Sequence, residues 1–173
     1  MVTGSKGQKS APIYSESKPA PHCQLCLATA PMTAPFGCSA YMDTEGKATR
    51  LNMELDVAQD QLAKLSAIDA WSQKQQSKLG CKGEYRPICH VDKHGNRRMR
   101  VKVSSVGPNA AKFWDSTRTT LGNVKSLDLA QASIIPVVAW TKVWSMASMW
   151  GLTCELRHAV VDNMASGECP EMV

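Results

Sequence analysis

The sequence lacks several features by which common protein classes are recognised. No stretch reaches the run of about 18 consecutive apolar residues that a membrane-spanning helix needs, so we expect no membrane partner. Residues 1–10 have no apolar core, so we expect no secretory signal. A glycine-rich phosphate loop, a Gly-x-Ser-x-Gly turn and a His-Glu-x-x-His helix are all missing. These absences predict a protein that is not an enzyme, has no catalytic residues and needs no cofactor.

Cysteine is present, but its number argues against a disulfide framework. The chain has seven cysteines, and an odd number without a secretory signal indicates free thiols in an intracellular, reducing compartment such as the cytoplasm or the nucleus. Cys23 and Cys26 have the two-residue gap of a zinc site, which Cys89 and His90 could complete. Because the two halves are far apart in the sequence, we expect no metal and keep Cys23 and Cys26 as weak candidates only.

Positive charge is modest overall but concentrated in one segment. The net charge of the whole chain is +5. Residues 82–102 hold seven Lys or Arg against the two acids Glu84 and Asp92, which is also a net +5, so the rest of the chain is nearly balanced. A localised basic stripe indicates a polyanionic partner better than a diffuse excess does. A solvated, charged loop is the alternative interpretation.

The order of the predicted elements favours a small β-barrel. Alternating or apolar runs predict strands over 36–41, 48–55 and 97–106 and a hairpin over 134–161. Between the second and third strands, a stretch without Gly or Pro over 57–79 predicts a long helix, with Asp56 as its N-cap. The simplest closed packing of these elements is a mainly β fold, a five-stranded barrel with one long α-helix.

Composition divides the chain into three parts. Residues 1–33 are rich in Gly, Ser, Lys, Pro and Ala and predict a flexible N-terminal arm. The predicted elements place the barrel domain over 34–163. Residues 164–173 form a short, weakly acidic C-terminal tail.

The first strand of the predicted hairpin has an unusual outer face. Side chains alternate along a strand, so one face holds the apolar residues that we expect to point inward: Ile135, Val137, Ala139, Thr141 and Val143. The face expected to point outward carries Val138, Trp140, Lys142 and Trp144. A row that combines Trp and Lys suits a flat, anionic ligand, and single-stranded nucleic acid fits that description.

The predicted nucleic-acid-binding residues combine cations for the phosphates with flat side chains for the bases. The cations are Arg50, Arg97, Arg98, Arg100, Lys102 and Lys142. The aromatic candidates are Trp140, Trp144, Tyr41, Phe113 and Trp114. For each Trp, packing between the barrel and the helix is the structural alternative, since large aromatic side chains are usually mostly buried.

Short motifs along the chain resemble a family of viral proteins. Pro35-Phe36-Gly37, Tyr41 and the run 51–55 resemble the entry hairpin of the OB-fold single-stranded-DNA-binding proteins of certain bacteriophages and of large DNA viruses of algae. Trp144 and the run 150–153 look like the closing hairpin of that family. The likeness covers roughly Pro31 to Asn163. It implies an OB-fold-like barrel and cooperative, sequence-nonspecific protection of single-stranded DNA during replication, recombination or repair, in a virus-infected cell and without catalysis.

Other functions and partners remain open at this point. The main alternative is a protein–protein interaction module built on the same barrel, and a further one is a zinc-stabilised RNA-binding domain. The nucleic acid could be single-stranded DNA or RNA. The exposed edges of a small barrel favour a homodimer, and the resemblance implies replication proteins as additional partners.

Overall fold

The computed structural model describes residues 2–3, 8–13, 25–42 and 48–163, which form a 13-stranded sheet with helices. The strands are β1 (Val2–Thr3), β2 (Lys9–Pro12), β3 (Leu25–Ala28), β4 (Met32–Ala34), β5 (Cys38–Met42), β6 (Ala48–Asp56), β7 (Glu84–Arg86), β8 (Cys89–Val91), β9 (Arg97–Val103), β10 (Lys112–Asp115), β11 (Thr120–Gly122), β12 (Ala132–Ser145) and β13 (Met149–Asn163). The helices are α1 (Gln59–Lys74), α2 (Gln76–Leu79) and a 3₁₀ turn (Val124–Ser126). None of the helices in these ranges is both long and apolar enough to cross a membrane.

Strand pairing closes part of this sheet into a barrel. β5 pairs with β6, β6 with β9, β9 with β13, and β13 with β12. β12 then pairs with β4, which only the turn 35–37 separates from β5, so the ring returns to its start. The pairing of β9 with β13 is parallel, whereas the other pairs in the ring are antiparallel. The prediction of a mainly β, OB-fold-like five-stranded barrel with one long α-helix is confirmed.

The barrel interior holds the large apolar side chains. On β9 the buried residues are Met99, Val101 and Val103, as the alternation in the sequence predicts. β6 contributes Met53 and Leu55, which pair with Val101 and Met99 and lie on the same face of the two strands. Because these residues face the core, the alternate residues of the two strands lie on the outer surface of the barrel.

The N-terminal region extends the sheet along β12. The sequence predicts a flexible arm over 1–33, but the described residues of this stretch include β1, β2, β3 and most of β4. β2, β3 and β4 pair with successive parts of β12. The edge of a 14-residue strand would otherwise leave a long row of backbone groups unpaired, and these short strands cover it.

The long helix begins later than the sequence predicts. Its N-cap is Ala58, which makes no side-chain capping bond, so the prediction of Asp56 as the N-cap is wrong. Asp56 is the last residue of β6, and its carboxylate accepts a hydrogen bond from Arg98 instead. The predicted helix over 57–79 is divided at Gln75 into α1 and α2.

β12 changes the face that it buries part-way along its length. Residues of even number are buried in its first half, namely Ala132, Ile134, Pro136, Val138 and Trp140. From Ala139 onward the residues of odd number are buried, namely Ala139, Thr141, Val143 and Ser145. The prediction of one inward and one outward face along the whole strand is therefore wrong for Val138 and Trp140 but holds for the exposed Lys142.

A β-bulge explains the change of face. Trp140 pairs with Cys154, while Lys142 pairs with the adjacent Thr153, so Thr141 is an extra residue without a counterpart on β13. Because side chains alternate with a period of two, one extra residue reverses which side chains point to the core.

Candidate nucleic-acid interface

The outer surface of strands β6 and β9 carries alternating acidic and basic side chains. The register places Asn52 opposite Lys102, Glu54 opposite Arg100 and Asp56 opposite Arg98. We call this surface the β6–β9 face and define it by these six residues. In OB-folds, the face formed by the second and third barrel strands is the usual site for oligonucleotides, and β6 and β9 are those strands here.

The arginines of this face are paired with carboxylates. Arg100 Nη2 lies 2.6 Å from Glu54 Oε1, and His90 Nε2 lies 3.3 Å from Glu54 Oε2. The Arg100 side chain is 64% exposed, whereas that of Glu54 is only 17% exposed. Arg100 is therefore the accessible member of the pair and the one that a phosphate could approach.

Arg98 is held more firmly than Arg100. Its Nε lies 2.9 Å from Asp56 Oδ1 and its Nη1 lies 3.0 Å from Asp92 Oδ2, and the side chain is only 12% exposed. Two nitrogens of this guanidinium are bound to carboxylates, and little of the side chain is accessible to a phosphate. The prediction that Arg98 is an outward, accessible phosphate ligand does not fit this geometry.

A tight turn fixes the Asp92 carboxylate that holds Arg98. Asp92 accepts hydrogen bonds from the backbone N–H groups of His94 and Asn96, at 2.8 and 2.9 Å, and from the Asn96 side chain at 3.1 Å. Burial acts to raise the pKa of Asp92, but the hydrogen bonds from Asn96 and His94 and the charge of Arg98 outweigh it and lower the pKa to about 2. Asp92 is therefore ionised at neutral pH, as an anchor for Arg98 requires.

A cleft of about 460 Å³ continues the face beyond the end of β9. β9 pairs with β13 only as far as Val103, and β10 takes over beside β13 from Lys112, which leaves a gap between the two strands. The polar residues that line this cleft are Lys102, Ser104, Ser105, Asn109, Lys125 and Glu155. Its apolar lining includes Leu51 and Leu156, so the cleft offers both a cationic and an apolar surface.

Phe36 borders the β6–β9 face, although no strand alternation in the sequence marks it as a contact. Its side chain is 61% exposed, and the guanidinium carbon of Arg98 lies 4.7 Å from the centroid of its ring. The sequence feature that could have indicated its exposure is its position between Pro35 and Gly37. In such a turn an aromatic side chain has no strand face on which to be buried. Lys125 was also missed, because the polar stretch around it carries no pattern.

Two of the predicted stacking residues are buried in the barrel. Trp140 is 1% exposed and Phe113 is 0% exposed, and both belong to the main hydrophobic core. The prediction that they present flat surfaces to bases is therefore wrong. Trp140 belongs to the even-numbered face that β12 buries before the bulge at Thr141, while Phe113 lies on β10, which pairs with β13 and faces the core.

The remaining predicted residues are spread over several surfaces. Lys142 is exposed and Trp144 is half-buried, with its Nε1–H donating to the Leu152 carbonyl at 3.2 Å. Both lie on β12, which β13 separates from β9, so the structure does not place them beside the arginines. Trp114 is half-buried on β10.

Three further predicted contacts remain, and the side chain of only one of them, Arg97, is described. Arg97 is exposed, and its Nη1–H donates to Gln59 Oε1 at 2.6 Å. Tyr41 and Arg50 pair with each other in the backbone register of β5 and β6, but their side chains lie outside the described structure.

The described residues offer neither a metal cluster nor an activated thiol. Cys23 lies outside the described residues, and only the backbone of Cys26 is described, in β3. Within the described ranges, no group of three or more His, Cys, Asp or Glu side chains could hold a metal ion. Burial raises the pKa of the Cys38 and Cys89 thiols to about 11 and that of Cys154 to about 12, so these thiols stay protonated near neutral pH.

The fold is similar to that of a solved protein. The crystal structure of gp2.5, a single-stranded DNA-binding protein encoded by bacteriophage T7, matches with a TM-score of 0.50 and 12% sequence identity, over 83% of this chain and 89% of that chain. At this identity the likeness concerns the fold alone, and it agrees with the OB-fold-like barrel. No protein-family model matches the sequence, and no curated protein matches it.

Proposed function

We propose that this protein binds single-stranded DNA without sequence preference along the β6–β9 face, and that it acts without catalysis inside the cell in DNA replication, recombination or repair. The observation that carries the proposal is the position of Arg100 and Lys102 on the barrel face that OB-folds use for oligonucleotides, with Phe36 at its edge. The similarity of the barrel to that of a phage single-stranded DNA-binding protein supports it.

The spacing of the cations suits an extended strand. Alternate side chains on a β-strand are about 6.6 Å apart, which is comparable to the distance between successive phosphates in an extended single strand. Arg100 and Lys102 are alternate residues of β9, and Lys125 lies beyond them in the cleft. A strand that follows β9 into the cleft would therefore meet a cation at successive phosphates.

The alternative of a protein-interaction module has less support from these residues. It takes the hairpin as an apolar surface that docks on a protein partner, and packing of Trp140 and Trp144 against the helix would remove them as a stacking platform for bases. Trp140 is instead part of the barrel core, and Trp144 is half-buried against the hairpin through its bond to Leu152. Phe36, in contrast, is exposed and lies beside Arg98 of β9.

The experiment that tests the proposal is a fluorescence-anisotropy titration with labelled oligo-dT, oligo-rU and a duplex at two salt concentrations. We expect binding to oligo-dT at low salt, weaker binding to the duplex, and affinity that falls with salt because bound cations release counterions. Arg100→Ala should weaken binding and reduce the slope of log K against log salt by about 1.

Arg86→Ala is the matched control, because Arg86 is also exposed but lies on β7, which pairs with β13 at Met149–Gly151. It should leave the salt slope unchanged. Absence of oligo-dT binding at low salt would refute the proposal. An equal loss in both variants would refute the assignment to the β6–β9 face, and tighter binding to oligo-rU would replace DNA by RNA as the ligand.

A further inference from the structure

The exposure of Phe36 needs more than its position in a turn to indicate a function. Phe36 is 61% exposed, while Phe113, the other phenylalanine of the chain, is fully buried. Single exposed apolar side chains are common on protein surfaces and need no explanation by themselves. What distinguishes Phe36 is that both its backbone and its ring are fixed.

The backbone of Phe36 is fixed by the segment that precedes β12. Gln131 donates from its backbone N–H to the Ala34 carbonyl and from Nε2 to the Pro35 carbonyl, each at 2.9 Å. Gly37 has a φ of +61° and is buried, and a Cβ atom there would lie 2.9 Å from the backbone nitrogen of Ala130. Only glycine fits that position, so the turn that carries Phe36 is held against the barrel.

The ring of Phe36 is fixed by Arg98. The guanidinium carbon lies 4.7 Å from the ring centroid, within the range of a cation–π contact. The Asp56 and Asp92 carboxylates hold this guanidinium from two directions. Arg98 therefore covers part of the ring while most of the side chain stays exposed to solvent.

We infer that Phe36 is a base-stacking platform at the edge of the β6–β9 face, and that Arg98 is a positioning residue that holds its ring. The inference rests on the proposed function and names the chemical group recognised there, which is the flat face of an unpaired base. Stacking of this kind is tolerant of sequence, because every base has a π-face. A base on Phe36 would leave its phosphate near Arg100, the exposed cation of the same face.

The direct test compares Phe36→Ala with Phe36→Trp in anisotropy titrations. Phe36→Ala should weaken binding to oligo-dT roughly tenfold, which corresponds to about 1.4 kcal/mol and lies within the range for loss of one stacked base. Phe36→Trp should retain binding, because the indole also presents a flat face. The salt slope should be the same in both variants and in the parent protein, since no phosphate contact is lost.

An abasic oligonucleotide separates stacking from every other role of the ring. With abasic positions throughout the strand, the parent protein and Phe36→Ala should bind equally. Trp71→Ala is the matched control, because Trp71 is also 61% exposed but lies on α1, and it should bind oligo-dT like the parent. Thermal unfolding of each variant establishes that the barrel is intact.

Arg98→Lys tests the positioning role, because it keeps the charge but removes the planar group. We expect weaker binding to oligo-dT, unchanged binding to the abasic strand and an unchanged salt slope. The inference would be overturned if Phe36→Ala bound oligo-dT with full affinity, or if it lost as much affinity for the abasic strand as for oligo-dT. Failure of the parent protein to bind oligo-dT would overturn the proposed function instead.

Discussion

At the scale of single residues, the aromatic side chains divide into those that build the barrel and those that remain accessible. Trp140 fills the core, and its indole N–H has no hydrogen-bond partner within the described part of the structure. Phe36 and Trp71 are mostly exposed. Strand alternation alone assigned Trp140 to the wrong group, because the bulge at Thr141 arises only when β12 pairs with β13.

Trp140→Ala should therefore affect stability rather than DNA contact. Removing a buried Trp typically costs about 3–5 kcal/mol, since a cavity remains. Chemical denaturation should show this loss, while the folded variant should keep the salt slope of DNA binding. Trp71→Ala should change the free energy of unfolding by no more than about 0.5 kcal/mol, as is usual for exposed positions. Equal stability of the two variants would contradict the placement of Trp140 in the core.

At the scale of elements, one buried carboxylate attaches helix α1 to the segment that precedes β9. Asp69 Oδ1 accepts hydrogen bonds from the Tyr85 hydroxyl at 2.6 Å and from the Ile88 backbone N–H at 3.1 Å. Tyr85 in turn packs on Trp150, with ring centroids 4.6 Å apart. Burial raises the pKa of Asp69, although the hydrogen bonds from Tyr85 and Ile88 act to lower it. The helix is therefore attached through a polar contact as well as through Leu65, which packs in the barrel core.

Asp69→Ala should destabilise the protein by about 1–3 kcal/mol, because the Tyr85 hydroxyl and the Ile88 N–H would lose their buried acceptor. Asp69→Asn should remain close to the parent, since an amide oxygen can accept both bonds without a buried charge. Urea denaturation measures both, with Asp60→Ala as the control at an exposed acid of the same helix. If Asp69→Asn lowered the free energy of unfolding as much as Asp69→Ala, the charge of Asp69 and not its hydrogen bonds would be what stabilises the protein.

The elements that could be predicted are those whose pattern is local. The alternation of Met99, Val101 and Val103 is explicit in the sequence, and β9 buries these three residues as expected. The helix between β6 and β9 was also expected, because its segment has no Gly or Pro. The N-cap was misplaced because Asp56 has a partner, Arg98, that is 42 residues away in the sequence. Pairings of this kind depend on the assembled sheet and leave no local signal.

At the scale of the whole molecule, the fold redistributes the charge that the sequence concentrates. The basic segment 82–102 carries a net charge equal to that of the chain. The sheet brings Glu54 and Asp56 of β6 beside Arg100 and Arg98 of β9, so part of that charge is neutralised across the strand pair. The candidate interface is therefore of mixed charge, and we expect a modest salt dependence because carboxylates already neutralise part of its positive charge.

The central claim is that single-stranded DNA lies on the β6–β9 face, and photo-crosslinking tests it most directly. Oligonucleotides that carry 5-iododeoxyuridine are bound to the protein, irradiated and digested, and the crosslinked peptides are identified by mass spectrometry. We predict crosslinks at Phe36 and within residues 98–104, and none at the buried Trp140. Crosslinks confined to Trp114, Trp144 or Trp71, with none on the β6–β9 face, would contradict the claim.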